Sequence, residues 1–271
     1  MITAFRLRLP VSEGYQLLKP KLQIAVVVHL LFSTELLATM IASQETNTID
    51  TPKGHDLPGP WAKTYQATTK EELLDAYAEW SKTYDVDSIQ RFGYLGPKRA
   101  AEELVKYLTG VENPTIADIG AGTGLVGEEL FAMLNGKCRI IAIDYSPEML
   151  KIAEEKGCYS KCQCVDLLQQ RSEVENEAYD AVISVGTFTP NHLGKEALDQ
   201  VVTMVKPNGG IVCLSLREDF VNDSSNGFLQ KLEQLEECGV LNKIHVTSPE
   251  LYTRKISDDI YFRCWIYFRV K

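Results

Sequence analysis

Three glycines alternate with other residues directly after a short apolar run that begins at Ile116. The run is typical of a buried strand, and apolar residues resume at helical spacing from Leu125. Glycine lacks the Cβ that would keep the backbone away from a ligand, and the first N–H groups of the following helix are expected to point at it. The stretch therefore predicts a cofactor-binding loop between a strand and a helix. The predicted contacts in this loop are Gly120, Ala121, Gly122, Thr123 and Gly124.

The loop fits two motifs, D-x-G-x-G-x-G from Asp118 to Gly124 and G-x-G-x-x-G from Gly122 to Gly127. The second motif is typical of dinucleotide sites, which seat a pyrophosphate on the helix N-terminus. A carboxylate at position 118 would repel that pyrophosphate, whereas it would attract the sulfonium and ammonium groups of S-adenosylmethionine (SAM). Asp118 therefore favours SAM over NAD(P) and is predicted to lie in the cofactor site. A glycine turn without a ligand is the third interpretation.

A second acidic residue, Asp144, ends the apolar run 138–143 and lies 20 residues after Gly124. At that separation, an acid at the end of the second strand can accept hydrogen bonds from both ribose hydroxyls. The alternative is that Asp144 merely precedes a helix, although Ser146 and Pro147 already provide a helix start. We favour the ribose role and expect Tyr145 beside the adenine, with Met149 in the next helix also contacting the cofactor.

Asp166 and Leu167 follow a third strand, near residues 161–165. In a doubly wound sheet this strand lies next to the second, so Asp166 is expected to accept from the adenine amino group. The alternative is a solvated loop acid. A fourth strand, residues 179–185, brings Val185 and the loop 186–192 towards the methyl group to be transferred. His192 in that loop is the candidate general base, although a surface histidine is the commoner explanation.

The elements that must position these residues follow an alternating strand and helix pattern. Two helices precede the first strand and predict a lid; one begins at a capping box over 68–71, and the other is introduced by Gly96 and Pro97. Tyr84, at the end of the first of them, is predicted either to reach the SAM carboxylate or to pack. The last two strands have no helix between them, which suits an antiparallel pair at the sheet edge.

Composition narrows the possible functions. The chain has 271 residues, a formal net charge of −9 and no cluster of lysine and arginine, which argues against a nucleic-acid substrate. Its 7 cysteines are an odd number and predict a reducing compartment, most simply the cytoplasm. Residues 158–164 contain three of them, but no second cysteine group or nearby histidine completes a metal site, so no metal is expected.

Residues 1–60 are predicted to be an N-terminal extension and linker, and residues 61–271 a methyltransferase domain. The extension contains an apolar segment, 22–42, behind several basic residues. Glu35 interrupts that segment, so neither half is long enough to span a bilayer. A non-targeting extension, a signal or anchor, and an organelle-targeting sequence are the three interpretations. Membrane contact is expected only through residues 22–42, if at all.

Four stretches together resemble the Rossmann-like class I SAM-dependent methyltransferases, and within them the methyltransferase-like proteins. They are residues 118–124, 144–150, 166–167 and 206–210. The resemblance covers about residues 65–271 and is more specific than any one motif. It implies an α/β fold with a doubly wound seven-stranded sheet whose last strand is antiparallel, and a helical N-terminal lid. It also implies that the glycines pass under the methionine part of SAM, with Asp144 at the ribose and Asp166 and Leu167 at the adenine.

The methyl acceptor cannot be identified from these motifs, and a small molecule or a protein fits the charge. The fourth-strand loop reads Gly-Thr-Phe-Thr-Pro from Gly186. It lacks the Asn-Pro-Pro-Tyr run typical of enzymes that methylate amide or base nitrogens. Two alternatives to a SAM-dependent methyltransferase stay open: an NAD(P)-dependent oxidoreductase, and a SAM-binding protein without turnover.

Overall fold

The computed structural model describes residues 59–169, 174–256 and 259–271. The predicted extension lies almost entirely outside these ranges, and its boundary with the methyltransferase domain stays a prediction. Within them, no helix is long and apolar enough to cross a membrane. The helices are α1 (Gly59–Gln66), α2 (Lys70–Trp80), α3 (Gly96–Tyr107), α4 (Leu125–Met133), α5 (Pro147–Glu155), α6 (Leu198–Met204), α7 (Glu218–Val221) and α8 (Phe228–Glu237). The strands are β1 (Thr115–Ile119), β2 (Arg139–Asp144), β3 (Lys161–Cys164), β4 (Ala181–Val185), β5 (Ile211–Arg217), β6 (Leu241–Val246), β7 (Glu250–Leu251) and β8 (Tyr261–Arg269).

The strands form one sheet in the order β3-β2-β1-β4-β5-β8-β6, with the short β7 paired to β8. The five strands β1 to β5 are parallel, and β8 runs antiparallel to both β5 and β6. The predicted doubly wound sheet with an antiparallel last strand is confirmed, and β7 is an eighth strand that the sequence analysis missed. The strand order reverses between β1 and β4, which opens a crevice at their carboxyl ends.

Both faces of the sheet are covered by helices, which explains why its central strands are almost continuously apolar. All five residues of β4 and all seven of β5 are buried. Val201 of α6 and Leu232 of α8 belong to the core on one face, and Leu104 of α3 and Leu130 of α4 belong to the core on the other. The carboxyl ends of β1, β2 and β4 are therefore fixed by packing on two sides.

The lid helix α2 begins one residue later than its sequence pattern predicted. Thr69 is the N-cap; its side chain accepts from the Glu72 N–H, and the Glu72 side chain accepts from the Thr69 N–H. The capping box is therefore 69–72 and not 68–71, because Glu72 also accepts two hydrogen bonds from Thr68 and thus satisfies both threonines. The sequence analysis missed helix α1 and a π-helical turn at Val86–Phe92.

One glycine of the loop after β1 is required by both its backbone and its surroundings. Gly120 has φ +67°, and a Cβ placed there would lie 2.0 Å from the Thr187 hydroxyl oxygen. We expect Gly120→Ala to lower the free energy of unfolding by about 2 kcal/mol or more, since strain and overpacking add.

Urea denaturation of both glycine variants would measure this difference. The control is Gly209→Ala, because Gly209 has no atom within 4 Å of the added Cβ and no positive φ. We expect that control to stay within about 0.5 kcal/mol of the wild type. Equal losses in the two variants would contradict the assignment of Gly120 as a packing requirement.

Candidate functional site

A cleft at the carboxyl ends of β1, β2 and β4 encloses about 200 Å³ and is covered by helix α2. Its position at the reversal of strand order is where open α/β sheets bind ligands. Most of the cofactor contacts predicted from the sequence line this cleft, and so does His192. The lining residues are Lys70, Leu73, Leu74, Tyr77, Tyr84, Gly120, Gly122, Ile143, Asp144, Tyr145, Ser146, Met149, Val165, Asp166, Leu167, Leu168, Val185, Gly186, Thr187, Asn191, His192 and Leu193.

The glycine loop passes one edge of the cleft with its backbone N–H groups already bonded to the protein. The N–H groups of Gly120 and Ala121 donate to the Ile143 carbonyl, at 2.8 and 3.3 Å. The N–H of Gly124 donates to Ala121, also within the loop. These N–H groups are therefore satisfied within the protein, and the expectation about the first N–H groups of helix α4, which begins at Leu125, stays a prediction. Gly122 fits the expected close approach, since it has φ +54° and a Cβ added there would meet no atom within 4 Å.

Asp144 joins the end of β2 to the glycine loop. Its two carboxylate oxygens accept from the Gly122 and Ser146 N–H groups, each at 2.8 Å. Burial raises the pKa of Asp144, and the hydrogen bonds from these backbone groups oppose that rise. The carboxylate lines the cleft while it fixes the loop, so one side chain both shapes the site and presents oxygen atoms to it.

Asp166 lines the same cleft as Asp144 and is paired with the lid helix α2. Its Oδ2 atom accepts from Lys70 of α2 at 2.6 Å, and its Oδ1 atom accepts from the Leu168 N–H at 2.9 Å. Burial alone would raise the pKa of Asp166, but the bonds from Lys70 and Leu168 hold it below its usual value. Lys70 also lies over the Tyr145 ring, 5.7 Å from its centroid. The sequence analysis did not include Lys70, because the pairing joins residues 96 positions apart.

Asp118 lies outside the cleft, contrary to the direct electrostatic role predicted for it. Its side chain is fully buried below the glycine loop, and it accepts a hydrogen bond from Tyr159 at 2.6 Å. Its other oxygen, Oδ1, has no hydrogen-bond partner among the described residues. Burial raises the pKa of Asp118 to about 7, with the charge of Asp144 adding to the rise and the Tyr159 hydrogen bond opposing it. The physical reason is the strand geometry, which directs this side chain away from the cleft and towards Tyr159.

Three other loop residues predicted as contacts, Ala121, Thr123 and Gly124, do not line the cleft either. Thr123 instead connects the loop to the lid, since its hydroxyl donates to Asp85 at 2.5 Å. The same carboxylate forms an ion pair with Lys156 at 2.7 Å. These contacts hold the segment next to Tyr84 against the glycine loop, and Tyr84 itself lines the cleft.

Val185, Gly186 and Thr187 form the wall of the cleft that follows β4, and His192 lies at the end of this wall. The His192 Nε2 atom is 2.7 Å from the hydroxyl oxygen of Tyr77 on α2. Tyr77 was not among the predicted site residues, although it lies on the face of α2 that packs against the core. A tyrosine among apolar residues on that face was the available signal, but its partner is 115 residues away.

Comparison with known proteins gives matches at the level of sequence. Residues 116–209 match the family described as a methyltransferase domain. The chain is 31% identical over 193 residues to methyltransferase-like protein 27 from Homo sapiens, an alignment that covers 69% of this chain and 77% of that protein. The residues matched by the family contain the glycine loop, β2 and β4.

Solved structures give matches at the level of the fold. The CurJ carbon methyltransferase superimposes with a TM-score of 0.54 at 14% identity, covering 88% of this chain and 71% of that one. A putative class I S-adenosylmethionine-dependent methyltransferase from Listeria monocytogenes gives 0.52 at 15% identity, with 75% and 76% covered. Both share the layered α/β arrangement that surrounds the cleft.

Proposed function

The chain belongs to the class I methyltransferases, as its motifs predicted, and from this premise we propose that it transfers a methyl group from SAM to a small-molecule or protein acceptor. The observation that carries the proposal is the pair of carboxylates, Asp144 and Asp166, at the ends of neighbouring strands in one cleft. They match a ligand that ends in a ribose and an adenine, both of which donate hydrogen bonds.

Open space beside the glycine loop supports the proposal. Gly122 leaves open space where any other residue would place a Cβ. In our proposal Gly120 and Gly122 pass under the methionine part, Asp144 holds the ribose, and Asp166 with Leu167 meets the adenine. Tyr145, Met149 and Val185 complete the apolar walls, and Tyr84 faces the methionine end from the lid.

The backbone of the loop also supports SAM over a dinucleotide. A pyrophosphate is held by free N–H groups at a helix N-terminus. Here the N–H of Gly127, in the first turn of α4, donates to the Tyr159 hydroxyl at 3.1 Å. The N–H groups of Gly120, Ala121, Gly122 and Gly124 in the loop before it are also bonded to protein acceptors. Asp118 does not distinguish the two cofactors directly, because its carboxylate is buried away from the cleft. In our proposal Asp118 supports the loop through Tyr159 and does not contact the cofactor.

When bound, SAM supplies a methyl group already activated by its sulfonium. The protein is left with the task of holding the acceptor in line behind that carbon, and positioning of this kind can supply roughly 7 to 11 kcal/mol of the barrier. Helix α2 covers the cleft, and the bonds from Lys70 to Asp166 and from Tyr77 to His192 join this lid to the sheet. A closed lid excludes water and fixes the acceptor.

Thermal unfolding with added ligands tests the choice of cofactor. We expect SAM and S-adenosylhomocysteine, each at about 100 times its dissociation constant, to add about 2.7 kcal/mol of stability and raise Tm by about 5 °C or more. NADH at the same concentration is expected to leave Tm unchanged. Stabilisation by NADH alone would overturn the proposal in favour of an oxidoreductase.

A further inference from the structure

A second cavity adjoins the cleft and shares Tyr77, Tyr84, Gly186 and His192 with it. We call this cavity the aromatic chamber; its other walls include Trp61, Tyr65, Trp80, Phe92, Tyr94 and Tyr252. It encloses about 40 Å³, which is room for a few atoms the size of a water molecule. The chamber therefore has room only for the hydroxyl end of a molecule that enters from the cleft.

His192 is held at the boundary of the cleft and the chamber in one tautomer. Its Nδ1 atom is 2.9 Å from the Pro190 carbonyl oxygen and 3.1 Å from the Thr189 hydroxyl oxygen. The carbonyl can only accept, so we assign the proton to Nδ1, and the Thr189 oxygen can then accept as well. Nε2 is then an acceptor, and the Tyr77 hydroxyl donates to it at 2.7 Å. The Tyr77 oxygen keeps its own lone pairs free to accept a proton from a molecule in the chamber.

The charges around this pair favour a neutral imidazole. Burial lowers the pKa of His192, and the nearby Arg217 guanidinium lowers it further, while the bond to Pro190 opposes both. Burial raises the pKa of Tyr77 well above its ordinary value, and the charge of Asp144 adds to the rise. Tyr77 is therefore a neutral hydroxyl next to a neutral, weakly basic imidazole at neutral pH.

Arg217 contacts two residues of the chamber wall without lining the chamber, and its charge is paired with Asp219 through both Nε and Nη2. Its Nε donates to Asp219 at 2.9 Å and its Nη1 donates to the Tyr65 hydroxyl at 2.6 Å. The guanidinium also lies 5.7 Å from the centroid of the Tyr252 ring. Because this charge is paired, the role of Arg217 that the structure supports is to hold Tyr65 and Tyr252 in the chamber wall.

We propose that Tyr77 is a catalytic residue that passes the proton of a phenol-type acceptor hydroxyl to His192, with the acceptor's reacting end in the aromatic chamber. This inference rests on the proposed function. The acceptor oxygen forms a bond to the methyl carbon as the carbon–sulfur bond breaks, leaving S-adenosylhomocysteine. The acceptor proton moves to the Tyr77 oxygen, the Tyr77 proton moves to Nε2, and His192 ends as an imidazolium.

The strength of the base selects this class of acceptor. A weakly basic imidazole removes a proton efficiently only from a fairly acidic group, and a phenol-type hydroxyl is far more acidic than an aliphatic alcohol. The Nδ1 partner of His192 is the neutral Pro190 carbonyl and not a carboxylate, so no negative charge at that nitrogen strengthens the base.

Nitrogen NMR of labelled histidine tests the pair without any turnover. The chain has 4 histidines, so His192→Gln assigns the signal by its loss. We expect the wild type to show a proton on Nδ1 and a hydrogen-bonded, unprotonated Nε2, and Tyr77→Phe to remove that hydrogen bond. A proton on Nε2 in the wild type would overturn the relay.

Two phenols test the proton transfer itself. At about pH 8.5, 4-nitrophenol is largely ionised, whereas 4-methylphenol keeps its proton and needs a base. With radiolabelled SAM, we expect Tyr77→Phe and His192→Gln to lower kcat/KM for 4-methylphenol about 100-fold and to change the value for 4-nitrophenol by no more than about threefold. A purely structural role would lower both values equally, and that result would overturn the relay.

The control is Tyr107→Phe, since Tyr107 is half-buried in α3 and lines neither cavity. Calorimetric titration with S-adenosylhomocysteine accompanies every variant and tests the proposed function separately. Binding of S-adenosylhomocysteine without methylation of either phenol would overturn the acceptor class. Absence of that binding in the wild type would instead overturn the proposed function, and the relay with it.

Discussion

Asp144→Asn is expected to weaken the binding of S-adenosylhomocysteine at least tenfold, which corresponds to about 1.4 kcal/mol of binding free energy or more. A carboxylate accepts from both ribose hydroxyls, whereas an amide has only one accepting oxygen. The structure adds a second effect. Both Asp144 oxygens accept backbone N–H groups, from Gly122 and Ser146, and an amide leaves one of these donors without a partner. We therefore also expect a loss of about 1 to 3 kcal/mol in the free energy of unfolding.

Asp180→Asn is the matched control. Asp180 precedes β4, so it lies at the amino ends of the parallel strands and not at the carboxyl ends, where the cleft is. It too accepts a backbone N–H, from Thr115 at 2.9 Å. This variant is expected to lose stability without losing affinity. Calorimetric titration with S-adenosylhomocysteine, run well below the unfolding temperature of each variant, separates the two effects. Equal affinity in the two variants would remove Asp144 from the ribose site.

The second large effect is a pH dependence of the free energy of unfolding, which the buried Asp118 is expected to cause. Its pKa rises from 3.8 in the unfolded chain to about 7 in the fold, mainly through burial. The folded state therefore binds the proton more tightly, so this group contributes most stability below pH 3.8 and loses it as the pH rises to about 7. Each pH unit in that window costs about 1.36 kcal/mol, which gives about 3 kcal/mol between pH 5 and pH 8.

Asp118→Asn removes this titration because an amide does not ionise. We expect the difference in the free energy of unfolding, variant minus wild type, to rise by about 3 kcal/mol from pH 5 to pH 8 in urea melts. Taking the difference removes the contributions of the other carboxylates. Tyr159→Phe is the companion variant, since it deletes the bond that lowers the pKa of Asp118 and should extend the loss to higher pH. Parallel stability curves for Asp118→Asn and the wild type would contradict this account.

The order of strands and the acids at their ends could be predicted from the sequence because both depend on local patterns. Buried parallel strands are continuous apolar runs, and the first polar residue after such a run marks the carboxyl end where ligands bind. Asp144 and Asp166 satisfy that rule, and both line the cleft. The antiparallel last strand followed from the missing helix before β8.

The direction of the Asp118 side chain could not be predicted in the same way. Both faces of β1 are buried, so alternation along the strand does not distinguish a side chain that faces the site from one that faces the core. Its partner Tyr159 is 41 residues away. Gly127 was the clearest local sign that Tyr159 packs beneath this loop, because an added Cβ there would lie 2.3 Å from the Tyr159 ring.

The contacts of the lid helix α2 could not be predicted from the sequence either, because they depend on how α2 lies across the sheet. Lys70 and Tyr77 are two helical turns apart in the sequence pattern, but their partners are Asp166 and His192 from two different strand ends. Hydrophobic periodicity places such residues on a helix and gives no information about which distant loop they meet.

The position of β8 gives the sheet a particular order of assembly. Strand β8 comes after β5 and β6 in the chain but lies between them in the sheet, and its backbone pairs with both. A nascent chain that has not yet reached residue 261 therefore has two unpaired strand edges, and exposed edges of this kind readily pair with other chains. The parallel half of the sheet can form during translation, but the whole sheet closes only after the final strand has left the ribosome.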